Sequence, residues 1–297
     1  MALETPPYCF PEHATAAVAA RCHVYVAKPV AVDVPGTLQI RKAGQQAARQ
    51  KQVFLVDFQM RVNPYLIECV RRLREGVIGE INFIRSSYDD DGYRDPPVEK
   101  TIASRLQGLV WANDIELGGG KLVNSGIHSI DAALWIADAL PISASGSTAV
   151  VRPDPHGNSR DIYSITYRFK NDRLILSHTG EHFRNLNSRI GFCDVYGQDG
   201  YMEARYGEKN WIRSNKGGYQ GGEKSDIYRW GPQENIRTFH KSITDGVFDN
   251  PTVEASVNST LVSILGREAA TAHTTVTMDE VIRANKNLEP NLSGLES

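Results

Sequence analysis

The sequence has 297 residues, of which 41% are hydrophobic and 23% charged, with a formal net charge of −2. That length suggests two domains with sizeable cores, in a composition ordinary for a soluble globular chain. The near-neutral balance excludes broad electrostatic attraction to nucleic acid or an anionic membrane, and no run of about 18 apolar residues is present to span a bilayer.

In chain order, Met1 to Phe10 has neither the basic start nor the apolar stretch of a signal peptide. Pro11 to Cys22 is alanine-rich and reads as a helix, and His23 to Ala27 as a short β-branched and aromatic strand. Asp33 is placed to cap a second helix that has Pro35 in its first turn and runs to about Gln50. Val53 to Phe58 is a near-continuous apolar strand. Apolar strands separated by helices predict a parallel sheet covered on both faces. Asn63-Pro64 opens a third helix with Leu66, Ile67, Val70 and Leu73 at helical spacing, and Gly76 stops it.

From Glu80 the pattern changes. Ile81–Tyr88, Asp161–Phe169, Arg173–His178 and Arg189–Tyr196 are strand-like and separated by turn sequences, which predicts a largely antiparallel second sheet. Three helices are expected at about Pro232–Ile243, Val253–Ala272 and Met278–Lys286. The stretch between Tyr88 and Asp114, with Asp89, Asp90, Asp91, Tyr93, Arg94, Asp95, Trp111 and Asn113, reads either as a solvated excursion or as a loop covering a substrate. The four cysteines are widely spaced, with no zinc-site pattern, and suit reduced structural thiols.

Candidate chemistry lies in three places. Lys28, in Ala27-Lys28-Pro29, follows a strand of the parallel sheet, where ligands of such sheets bind. Its ammonium could hold a substrate hydroxyl and favour its alkoxide character; an isolated Lys-Pro is otherwise a surface feature. In Gly118-Gly119-Gly120-Lys121-Leu122-Val123-Asn124-Ser125-Gly126-Ile127-His128-Ser129-Ile130-Asp131 the glycines lead into a helix. Asn124, His128 and Asp131 recur there at i, i+4 and i+7, so they share one face. His128 is then either a general base or a core histidine held by hydrogen bonds. The Gly-Lys pair is followed by leucine and is not a phosphate loop. Last, His178 and His182 stand on one face of a strand, where they could line a substrate pocket or bind a metal, though no carboxylate motif completes such a site and solvent-facing side chains are the preferred reading. Gly217–Gly222 reads as a flexible turn and not as a dinucleotide fingerprint.

Taken in order, these segments resemble the Gfo/Idh/MocA family of oxidoreductases. Thr5-Pro6-Pro7 with Glu12-His13 is similar to the family's T-P-x-x-x-H segment, and His23–Pro29 to H-V-x-x-E-K-P, with Ala27 where glutamate is usual. Val56–Arg61 resembles G-F-x-x-R, Glu75–Ile81 the helix-to-strand junction, and the Gly118–Asp131 run G-G-G-x-x-x-D-x-G-x-H-x-x-D, with Asn124 in the aspartate position.

The resemblance implies an incomplete Rossmann-type parallel sheet at residues 1–62. An α+β domain for substrate binding and oligomerisation would follow at residues 63–297, with a large, mainly antiparallel open sheet and C-terminal helices that pack back on the first. Thr5 corresponds to the end of the family's fourth strand, so a shortened or truncated nucleotide domain is expected. The implied function is NAD- or NADP-dependent oxidation of a sugar, sugar-derived or cyclic polyol substrate. Lys28, His128 and Asn124 would act at the hydroxyl. Arg61, Tyr88, Trp111, Asn113, Asp131 and His182 would bind substrate, and Thr5, Pro6, Pro7, His13, Lys28 and Pro29 cofactor, with no metal. Alternatives on the same scaffold are a lyase or glycosidase working through a 3-keto sugar, and a non-catalytic binding or assembly protein. A homo-oligomer through the open sheet is expected, with no nucleic-acid or membrane partner. The compartment expected is the cytoplasm, or the periplasm if an upstream signal has been lost.

Overall fold

The computed structural model describes residues 1–91, 95, 101–106, 109–170, 172–182 and 190–294, apart from the Glu181 side chain. Tyr93 and Arg94 of the acidic excursion, and Arg189 of the expected strand, lie outside the described residues.

Strands β1 (Ala2–Leu3), β2 (Val24–Ala27) and β3 (Phe54–Asp57) form a parallel sheet in that order, with helices α1 (Phe10–Ala19) and α2 (Val34–Arg49) between them. Val24, Val26, Phe54, Leu55 and Val56 are buried, as apolar strands covered on both faces require. Asp33 caps α2 by accepting from Gly36 N at 2.8 Å. Asn63 does the same for α3 (Pro64–Arg74), accepting from Tyr65 N at 3.1 Å. Each side chain satisfies one of the donors left open by a helix start.

The chain then builds β4 (Ile81–Asp90), the single turns α4 (Ile102–Arg105) and α5 (Ile115–Gly118), a π-helical turn at Leu122–Gly126 and α6 (Ile127–Ala137). Six strands follow: β5 (Ser143–Ala149), β6 (Ile162–Arg168), β7 (Ile175–His182), β8 (Gly191–Gly197), β9 (Gly200–Arg205) and β10 (Asn210–Ser214). Then come β11 (Tyr219–Gly222), α7 (Ile227–Asp245), α8 (Thr252–Ala272), β12 (Val276–Thr277) and α9 (Met278–Ala284). The second sheet runs β11-β10-β9-β8-β4-β7-β6-β5-β12, and every pairing except β4–β7 is antiparallel.

Two expectations of the sequence are corrected here. The Gly217–Gly222 run is not only a turn, because Tyr219–Gly222 pairs with β10 as the outermost strand. Gly221 has φ +62°, and a Cβ there would sit 1.6 Å from Asn210 O, so glycine makes this close strand possible. Helix α7 begins five residues before Pro232 and runs through it. Strand β5, Ser-Ala-Ser-Gly-Ser-Thr-Ala, has little strand propensity of its own and pairs with β6 along its whole length.

Helix α8 joins the two sheets. It packs on α2, β3, α6 and β5, and the hydrophobic core is continuous around it. Being buried almost all round, it directs the hydroxyls of Ser256 and Ser263 back to carbonyls one turn earlier, at 2.5 and 2.8 Å. All four cysteines are free thiols. Among the described residues no helix is long and apolar enough to cross a membrane.

Candidate active site

The carboxyl ends of β1–β3 bring Glu4, Lys28 and Asp57 into one electrostatic group. Lys28 leaves β2 through a cis Lys28–Pro29 peptide bond, and its Nζ donates to the backbone carbonyl of Asn124 at 2.7 Å. Asn124 lies in the π-helical turn, an irregularity often found at functional sites. Burial lowers the Lys28 ammonium to a pKa of about 8; Asp57, Asp90 and Glu4 hold it up and Lys121 pushes it down. The turn that delivers Asn124 starts from Gly119 and Gly120, both at positive φ, where a Cβ on Gly119 would press within 2.8 Å of Val123.

His128, in the first turn of α6, is buried and stacked on Tyr88 with ring centroids 5.2 Å apart. Tyr206 meets it edge-on at 5.2 Å and Phe58 at 6.4 Å. Among the described residues His128 Nδ1 has no hydrogen-bond partner. Burial, then the charges of Lys28 and Lys121, push its pKa well below the ordinary histidine value, so the imidazole is neutral at physiological pH. The tyrosines form a wall: the Tyr88 and Tyr228 hydroxyls are 3.0 Å apart, Tyr206 and Tyr228 rings 4.8 Å, and the Tyr206 hydroxyl donates to Gln59.

Behind that wall Lys121 pairs with Asp90 at 3.0 Å and lies over the Tyr88 ring at 5.2 Å. His182 Nε2 approaches the same Asp90 at 3.3 Å, and His178 Nδ1 meets Ser86 Oγ at 2.9 Å. The two histidines are therefore not solvent-facing, contrary to the sequence reading: both are buried on the side of β7 that carries Leu176. Burial lowers their pKa values to about 3 for His178 and about 4 for His182. The parity with Leu174 and Leu176 was the signal that pointed inward.

The expected common face of Asn124, His128 and Asp131 divides in space. Asp131 turns to Arg61, which donates to it twice at 2.7 and 2.9 Å, and Ser259 Oγ donates at 2.6 Å. Arg61 also stacks over Trp135 at 5.2 Å. Trp111 and Asn113 sit in the 3-10 turn before α5. Trp111 packs against Gly118, and the Asn113 carbonyl accepts from Ser159 N at 3.1 Å. Thr5, Pro6 and Pro7 follow β1 into the turn at Pro7–Cys9, Pro29 is buried beside Lys28, and His13 is exposed on α1.

Residues not singled out from sequence complete the site. Asp57 ends an apolar parallel strand, the same rule that picked Lys28, and Lys121 follows the glycines. Asp90 was one acid in a run. Gln59 fills an unspecified position of the G-F-x-x-R segment, and Tyr206 and Tyr228 belong to no motif and arrive through tertiary packing.

The GFO/IDH/MocA C-terminal domain profile matches residues 67–203, from within α3 to β9. Over that stretch the chain is similar to the Gfo/Idh/MocA oxidoreductases. An uncharacterized oxidoreductase of Synechocystis is 28% identical over 214 residues, which cover 70% of this chain and 52% of the relative. The chain therefore spans about half the length of the curated relative it matches. Among solved structures, an oxidoreductase domain protein from Kribbella flavida superposes with a TM-score of 0.76 at 17% identity, over 93% of this chain and 79% of the other. Levoglucosan dehydrogenase, in complex with NADH and levoglucosan, gives 0.74 at 20% identity, over 93% and 79%. These two likenesses concern the fold: a small parallel sheet joined to a large, mainly antiparallel one.

Proposed function

We propose that this chain provides the substrate side of an oxidoreductase that moves hydride between a sugar, sugar-derived or cyclic polyol substrate and a nicotinamide nucleotide, NAD or NADP. The observation that carries the reading is that the Lys28 ammonium lies near enough to depress the basicity of the buried His128 imidazole, which is neutral with an open Nδ1. The levoglucosan dehydrogenase complex supports the substrate class and the cofactor.

The residues present fit the reacting end of such a nucleotide. Three parallel strand ends carry Thr5-Pro6-Pro7, Lys28-Pro29 and Asp57 to one edge, the place where α/β sheets bind nucleotides. The proposed contacts of these residues are with the reacting end of the nucleotide. When bound, the nicotinamide supplies the hydride acceptor or donor.

Lys28 holds the substrate hydroxyl through its ammonium, which is already aimed at the Asn124 carbonyl and is poised to exchange that partner for substrate. His128 takes the hydroxyl proton on its open Nδ1, the low basicity of the imidazole being offset by the acidity that the Lys28 ammonium gives the hydroxyl. Tyr88, Tyr206 and Tyr228 wall the imidazole and keep bulk water from its ring. Asn124 positions substrate and, as an amide, takes no proton. One face of the second sheet carries a ladder of half-buried rings, Phe83, Tyr196, Tyr201 and Trp211, at 5.0–5.7 Å spacing, and this face is the proposed homo-oligomer contact.

Titration with NADH and NADPH, followed by nicotinamide fluorescence and heat of binding, tests the reading together with a screen of pyranoses and cyclic polyols for nucleotide reduction. Saturable micromolar binding and turnover lost on Lys28→Ala or His128→Ala would support it. Turnover unaffected by both substitutions would refute the roles given to Lys28 and His128.

A further inference from the structure

The E-K-P signature has alanine at position 27, yet a carboxylate still acts on the Lys28 charge. It comes from the neighbouring strand. In the β2–β3 ladder the register partner of Ala27 is Asp57, and aligning Phe58 and Arg61 with G-F-x-x-R puts Asp57 where that motif has glycine. We infer that Asp57 is a positioning residue for Lys28, replacing from β3 the carboxylate that the signature places on β2. The inference rests on Lys28 being the residue that holds the substrate hydroxyl.

A carboxylate on a buried strand end needs partners of its own, and this one has them. Asn235 of α7 donates to Asp57 Oδ1 at 2.5 Å and is itself 3% exposed. The Tyr25 phenol, two residues before Ala27 on the same face of β2, lies against the same carboxylate, and burial together with that charge raises its pKa. Burial raises Asp57 itself, while Tyr25, Asn235 and Lys28 hold it down. Asp57 is thus fixed from α7 and β2, a side on which Lys28 makes no hydrogen bond. The titratable groups facing Lys28 are Asp57 from β3, Asp90 from β4, Glu4 after β1, Lys121 before the π turn, and His128 from α6. Asp57 has the largest effect of these charges on the ammonium.

The exchange predicts a reciprocal swap. Lysine amines would be reductively methylated with 13C-formaldehyde and titrated by NMR, with the Lys28 resonance assigned by its loss in Lys28→Arg. Asp57→Asn should lower the Lys28 midpoint by about one pH unit, about tenfold in proton affinity. The double variant Ala27→Glu/Asp57→Gly should return it toward the wild-type value. If Asp57→Asn does not fold, Asn235→Ala, which frees the carboxylate, should move the midpoint in a smaller step. A Lys28 midpoint that stays put in the folded Asp57 or Asn235 variant, or a swap that fails to restore it, would overturn the inference. The measurement needs neither nucleotide nor substrate. A midpoint that moves while the alkaline limb of kcat/KM does not would leave the Asp57–Lys28 coupling standing and count against the hydroxyl-holding role of Lys28.

Discussion

Two cation–carboxylate groups lie on either side of the His128 turn, and they are built in opposite ways. Arg61 and Asp131 are closed on each other: a bidentate pair, a serine hydroxyl on the acid, an indole under the guanidinium. Lys28 has one backbone carbonyl and the looser field of Asp57, Asp90 and Glu4. Arginine, with its fixed fork, suits a permanent structural clamp, while a lysine ammonium can change partners and shifts its pKa when buried. The contrast teaches that family-like position alone does not make a residue available to a ligand. Both groups belong to motif positions, and only one has hydrogen-bonding capacity to spare.

That contrast can be broken most directly by exchanging the two effects. Lys28→Met or His128→Gln, which keep most of the buried volume, should cost turnover about 10²–10⁴-fold in an assay of nucleotide reduction, with the thermal midpoint little lowered. Asp131→Ala should do the reverse. Stranding the Arg61 charge should cost about 3–5 kcal/mol of stability, read from a urea midpoint, before any effect on chemistry is considered. An Asp131 variant of wild-type stability and lost activity would mean that the acid belongs to the reacting site.

The pH dependence sharpens the same division. His178 and His182 have folded pKa values depressed to about 3 and about 4, below the unfolded value of about 6.5. The unfolded chain therefore binds protons first as pH falls. Their contribution is fully present above about 6.5 and is lost as pH drops toward 4, by up to about 1.4 kcal/mol per pH unit for each histidine. Lys28, lowered to about 8, has the same sign in a different window: stability rises between about 8 and 10.5, and Lys28→Met should flatten that rise. Urea unfolding across both windows checks each. The smallest expected effect is Tyr88→Phe, which removes one hydroxyl contact with Tyr228 and should cost about 1 kcal/mol while leaving the His128 stack in place.

Much of the architecture was legible because local chemistry and tertiary demand agree. Asp33 and Asn63 cap the helices they precede, and the apolar runs at Val24 and Phe54 lie in a buried parallel sheet. Strand β5 and the paired stretch of β11 were not legible. Their small and glycine residues form strands only because a neighbour is there to pair with. The expected common face of Asn124, His128 and Asp131 assumed a regular helix, and the π turn at Leu122–Gly126 ends that regularity at Asn124.

The sequence by itself determined the first helices and parallel strands, the family resemblance and the placement of Lys28 at a strand end, since periodicity, capping and motif spacing are properties of neighbours along the chain. Only the tertiary structure decided which polar groups are occupied and which are open. Arg61 meets Asp131 across 70 positions, Lys28 meets Asn124 across 96, and Asp57 meets Asn235 across 178. Such pairings are set by how α6, α7 and α8 pack around the two sheets, and a burial-dependent pKa does not exist until that packing does.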